Sequence, residues 1–138
     1  MAIRRFRSIA NALAWLAIAG GGLAACETKP ERLDPNSSPA NYKADVIGLV
    51  RTTVGDPTNI RDAYISEPAL KLSGAENRYV VCVRFNGKGR DGQYMGPKEK
   101  MVVYFGGSPN QYVDATPDKC GGANYQPFPE LEALPPKR

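Results

Sequence analysis

Three cysteines, four late acids and one glycine-rich hexad are the residues of this 138-residue chain whose types and spacing could do chemistry. None of them can draw on imidazole, because the chain has no His. Ser-His-Asp and Cys-His nucleophile systems are therefore excluded, as are His-ligated zinc and haem. Gly87-x-Gly89-x-x-Gly92 has the spelling of a dinucleotide fingerprint. That motif works only between a strand and a helix, whose N-terminus meets the pyrophosphate. Here β-forming residues stand on both sides, so the hexad reads as a hairpin loop and no nucleotide cofactor is expected. Asp114, Asp118, Glu130 and Glu132 are the acids available to a two-carboxylate glycosidase. On so small a domain they read as solvated surface. A Ser or Thr nucleophile would need a Lys base, and no spacing singles one out. The expectation is a non-enzyme with no catalytic residue, cofactor or metal; a small cell-wall hydrolase is the weaker alternative.

The remaining reactive group is the thiol of Cys26. Arg4, Arg5 and Arg7 form a positive n-region, and no charge follows from Ile9 to Ala25. Ala, Leu, Ile and Trp15 dominate that run, the layout of a secretory signal peptide. Gly20, Gly21 and Gly22 make it a poor permanent span. It closes on Leu23-Ala24-Ala25-Cys26. These four residues resemble the lipobox of bacterial lipoproteins, in which small residues lie extended in a peptidase cleft and the thiolate is the nucleophile. The resemblance implies diacylglyceryl transfer to Cys26, cleavage before it, and an anchor in the lipid bilayer, since each buried methylene contributes ~0.8 kcal/mol. An ordinary signal peptide with a chance Cys, or an uncleaved anchor, is the competing reading. Glu27 rather than Asp after the Cys leans, by the sorting rule known for some envelopes, toward the outer membrane. The expected address is the bacterial cell envelope, facing the periplasm.

Subtracting the 25-residue signal from 138 leaves 113 residues, with 15 Lys+Arg against 14 Asp+Glu, a balance of +1. The basic character belongs largely to the signal, and no field for nucleic acid remains. With Cys26 acylated, Cys82 and Cys120 form an even pair, which in an exported small domain reads as a disulfide. Closing that loop would stabilise the fold by about 4 kcal/mol on loop entropy. Two separate thiols are the alternative.

These residues need elements to hold them. Residues 27–40, with Pro30, Pro35 and Pro39, read as a flexible tether reaching up to ~45 Å when extended. Tyr42, Val46, Leu49 and Val50 make one apolar stripe, which predicts a helix from about Tyr42 to Val54 with Asn41 as its cap. Gly55-Asp56-Pro57 ends it. Strands are predicted over Ile60–Glu67, with Ala69–Ser73 extending or pairing with it, then Arg78–Asn86, Lys100–Phe105 and Gln111–Ala115. In RYVVCVRFN, Tyr79, Val81, Val83 and Phe85 share one face, and Val80, Cys82 and Arg84 the other. Gly96-Pro97 should interrupt an arm begun at Gln93–Met95, and Gly106 to Asn110 should turn the chain. The fold class expected is α+β: one N-terminal helix packed on a small antiparallel β-meander, an extended Pro-rich C-terminal strap, and one disulfide. The divisions are 1–25 signal peptide, 26–40 lipidated Cys and tether, 41–134 a single domain, and 135–138 a disordered tail.

Tyr64, Tyr79, Tyr94, Tyr104 and Tyr112 lie on the predicted strands, where Tyr serves either interface or sheet. Tyr125, Pro127 and Phe128 are candidates for docking an envelope protein partner, with a packed strap as the competing reading. RYVVCVRFN, VVYFGG and YVDATPDKCGGANYQPFPEL resemble small alphaproteobacterial lipoproteins to which no activity is assigned. A looser likeness is to lipoprotein-type lysozyme inhibitors, which share a disulfide, a Tyr-x-Cys-like strand and a late Gly-x-x-Tyr, here Gly122 to Tyr125. Two departures stand out: Cys82 lies three residues after Tyr79, and Gly121 occupies the position of the family's Ser. The resemblances imply an anchored accessory domain that binds protein, or alternatively an inhibitor or ligand-binding lipoprotein.

Overall fold

The computed structural model describes residues 33–137; the expected signal peptide, the lipobox-like tetrad and Cys26 lie outside them. Helix α1 (Tyr42–Thr53) buries Val46 and Val50, two members of the predicted stripe. Asn41 stands at its N-cap position, yet its side chain makes no capping bond. Six strands follow: β1 (Asp56–Ser66), β2 (Ala69–Ser73), β3 (Glu76–Lys88), β4 (Tyr94–Phe105), β5 (Ser108–Asp114) and β6 (Tyr125–Pro127). Single helical turns, α2 (Pro117–Cys120) and α3 (Pro129–Glu132), flank β6. All pairings are antiparallel, in the order β5-β4-β3-β1-β6, with β2 also on β3. The meander is β3-β4-β5.

β1 and β2 lie end to end along the same edge of β3. Ile65 faces Val83, and Ala69 faces Val80. Pro68 therefore bends one long edge rather than separating two. β1 also begins four residues earlier than expected. Asp56 Oδ1 accepts the Thr58 amide at 2.9 Å and the Thr58 hydroxyl at 2.6 Å, and Asp56 pairs with Lys88. These bonds to Thr58 hold the Asp56 carboxyl below its usual range. Register slips between Asp56 and Arg61, and again between Arg61 and Tyr64. Each slip contains one non-glycine residue at positive φ, Asn59 (56°) and Asp62 (52°), the residue types that tolerate this region.

Three more expectations need correction. Gly96-Pro97 does not interrupt β4: Pro97 sits opposite Asn86 beside a register slip, where no ladder amide is needed, and Gly96 takes φ 83°. The turn expected from Gly106 to Asn110 is only Gly106-Gly107, both at positive φ, with Ser108 already paired to Phe105. A two-residue loop of this kind matches the twist of its strands. The loop joining β3 to β4 is shorter than the expected hexad: Gly87 and Lys88 still belong to β3, with Lys88 opposite Tyr94, and the Gly89 amide donates to Gln93 O at 2.9 Å.

Alternation along β3 divides the interior as predicted. Val81, Val83 and Phe85 join Val46, Val50, Ile60, Val102 and Tyr104 in the main core under α1. Val80 and Cys82 face the other way, into a smaller cluster with Met101, Val103 and Cys120. Cys82 and Cys120 are bonded across a separation of 38 residues. The C-terminal strap is thus more than an extended segment. Cys120 lies on the outer face of the sheet, β6 pairs along the edge of β1, and Phe128 and Leu131 are fully buried in the inner core. Residues 117–132 clasp that edge from one face to the other.

Both flanking segments are also engaged. Pro39 is buried, and Pro35 O accepts the Gly106 amide at 3.1 Å, so the later half of the expected tether lies against the β4–β5 turn. Past Leu134, where a disordered tail is expected, Lys137 Nζ donates to Val54 O at 2.7 Å at the end of α1.

Candidate protein-binding face

The strap covers only part of the outer face. Beyond the disulfide, the alternation that turns Cys82 outward also turns Arg84, Asn86 and Lys88 outward. Register then sets their neighbours: Arg84 lies between Tyr64 of β1 and Glu99 of β4, and Lys88 lies opposite Tyr94. The Arg84 guanidinium sits 5.0 Å from the Tyr64 ring centre and 5.1 Å from that of Tyr125. The Tyr125 hydroxyl donates to Glu99 Oε1. Burial, then the Glu99 carboxylate, holds the Tyr125 phenol well above its ordinary range. Nearer the β3–β4 loop, Tyr94 lies between Arg61 at 4.3 Å and Lys88 at 5.2 Å, and its hydroxyl donates to Asn59 O at 2.8 Å. Two cation–aromatic groups thus line one sheet face.

Each contact of this kind contributes ~0.5–1 kcal/mol at an exposed site. More important for recognition, the rings fix the long cationic side chains before any partner arrives, which lowers the entropy lost on binding. Tyr and Arg are the residues most enriched at energetic centres of interfaces.

The structure sorts the candidates from the sequence. Tyr125 belongs to this face, and Pro127 is exposed beside it, opposite Tyr64. Phe128 is at 0 % exposure in the core, so it supports the strap rather than a partner. Of the strand tyrosines, Tyr64 and Tyr94 face outward, Tyr104 is buried, and Tyr79 and Tyr112 pack against the inner core. Arg61, Arg84, Lys88 and Glu99 were not singled out by sequence. Arg84 was legible as outward-facing, but only the register of β1 and β4 supplies its aromatic neighbours.

The four acids are dispersed, and each has its own partner. Asp114 pairs with Lys100 at 2.6 Å, Asp118 with Lys119, and Glu130 with Lys43 at 3.7 Å. Hydrogen bonding to those lysines holds the Asp114 and Asp118 carboxyls below their usual range. Glu132 Oε1 accepts the buried Ala63 amide at 2.9 Å. Among the described residues, no group of three or more Cys, Asp or Glu is placed to hold a metal ion. Open cavities among the described residues include the following two. One of about 240 Å³ lies beside the disulfide, lined by Ser66, Cys82, Lys119 and Asn124. The other, of about 430 Å³, lies between Thr53, Met95, Lys98 and Tyr112.

No protein-family model matches the sequence, and neither a curated protein nor a solved structure matches it significantly.

Proposed function

We propose that the protein is a lipid-anchored component of the bacterial envelope, held by acylated Cys26, whose domain binds a protein partner without catalysing a reaction. The observation that carries the anchor is the allocation of cysteines. Cys82 and Cys120 are bonded to each other, so Cys26, the last residue of the lipobox-like tetrad, is the only cysteine left. A bonded pair also suits an oxidising compartment outside the cytoplasm. The binding role is supported by the outer face, where Arg84 and Arg61 are held on Tyr64, Tyr125 and Tyr94. Glu27, in place of Asp after the cysteine, favours the outer membrane over the inner, with the domain facing the periplasm.

Crosslinked capture from a membrane extract tests the binding role. Wild-type protein should retain a defined partner, and Arg84→Ala with Tyr64→Ala should retain it about tenfold less well. Absence of a partner, or equal retention by the double variant, would remove the outer face from the account.

A further inference from the structure

The two ends of the sheet are chemically different. One end carries the β2–β3 turn, the Gly106-Gly107 turn and the start of the described chain at Leu33. The side chain of Leu33 reaches the Gly106 turn, within 3.6 Å of where a Gly106 β-carbon would stand. Leu70 and Leu72 are the second and fourth of the five β2 residues, opposite Tyr79 and Asn77, and Phe105, with the Arg78 guanidinium 5.0 Å from its ring centre, closes β4. These residues are Leu33 at 69 % exposure, Leu72 at 61 %, Leu70 at 50 % and Phe105 at 46 %. The other end, at Tyr94 and the loop of residues 89–93, lies about 35 Å away along β4 at ~3.3 Å per residue.

From these observations we infer that the Leu33–Leu70–Leu72–Phe105 end docks on the lipid bilayer. This rests on the Cys26 anchor proposed above and adds an orientation to it. Chain length commits the surface to lipid rather than to a protein. Seven residue steps separate Cys26 from Leu33, a reach of at most ~25 Å. Residues 34–39 add no slack, because Ser37 N–H donates to Asp34 O at 3.1 Å and Pro35 O is bonded to Gly106. The leash therefore leaves from the apolar end and holds that end near the surface in which its acyl chains sit. Side chains of this kind enter the interface by ~5–10 Å. Lys71 and Arg78 at this end are balanced by Asp34 and Glu76, and Arg78 is already paired with Glu76. Docking is then apolar and does not depend on anionic headgroups.

The test uses the protein extracted from bacterial membranes and reconstituted in zwitterionic phosphatidylcholine vesicles. After cleavage before Cys26 the chain contains no Trp, since Trp15 is the only one. Leu72→Trp and Phe105→Trp place a probe at the docking end, and Met95→Trp, also exposed, places one at the far end. All three positions are on the surface. A mass gain of two hydrogens on reduction reports that the disulfide, and hence the fold, is in place.

Replacing the lipid by its acyl-brominated form should cause loss of emission from the Leu72→Trp and Phe105→Trp proteins and leave Met95→Trp unchanged. Equal emission at both ends, with lipid found on Cys26 by intact mass, overturns the docking and leaves the anchor standing. A blue shift at Leu72→Trp without bromine quenching would mean that a second copy covers this end, and also overturns it. An unlipidated Cys26 overturns both.

Discussion

Glu132 shows how a residue suited to catalysis can serve the backbone instead. The positive φ of Asp62 pushes the neighbouring Ala63 amide out of register with β3, and Glu132 supplies the acceptor that the ladder cannot. Ala63 is 3 % exposed, so no water can replace that acceptor easily. Glu132→Ala should therefore cost about 1–3 kcal/mol, and Glu132→Gln, which keeps an acceptor, should cost less. Urea unfolding of the three proteins checks this; equal midpoints would show that the carboxylate is dispensable. Nothing in the sequence marked Glu132 for this task. Its partner is an amide freed by a bulge, and a bulge has no composition of its own. Asn59 and Asp62 are its only trace, visible once φ is known.

At the scale of elements, legibility followed periodicity. RYVVCVRFN assigned both faces of β3, and the apolar stripe placed α1 within a residue of its end. Both signals are repeated several times over, so one dissenting residue such as Gly48 does not erase them. The expectations that failed rested on single residues or on the composition of a segment. Pro97 reads as a break because a central ladder needs its amide; the slip beside Asn86 removes that need. The strap reads as extended because its prolines hide the turns that begin on Pro117 and Pro129. The outer face was less legible still, since its pairs join β1, β3, β4 and β6. The role of Phe128 also lies at this scale. It is the residue by which the clasp grips the core, and Phe128→Ala should lose about 3–5 kcal/mol. Thermal or urea unfolding would reveal that loss in the isolated protein, whereas a purely partner-facing Phe would leave stability unchanged.

For the whole molecule, the charges predict a broad plateau of stability with sharp edges. The chain has no His, so no side chain of ordinary pKa titrates between about pH 5 and 8. On the acid side, Asp56, Asp114 and Asp118 have folded-state pKa values below the ordinary 3.8. Their contribution is present above that value and is lost as pH falls through the lower folded values. On the alkaline side, burial pushes the Tyr112 phenol up to about 12 from 10.0, and burial also raises Tyr104 and Tyr125. A raised phenol stabilises the fold fully below 10.0 and loses that contribution as pH climbs toward 12. Unfolding midpoints should be level through neutrality and fall above pH 10, and Tyr112→Phe should flatten part of the fall. A slope between about pH 6 and 8 would contradict the assignment.

The clasp also sets an order of assembly. Chains are synthesised from the N-terminus, so β1 to β5 are complete before the clasp exists. Until Cys120, Tyr125 and Phe128 have been made, β1 has an open edge, and both clusters lack the residues that close them. An unpaired edge of this kind is a template for aggregation. A chain cut short at Thr116 keeps most of its sheet and loses the clasp, so limited proteolysis should cleave it faster than the intact protein.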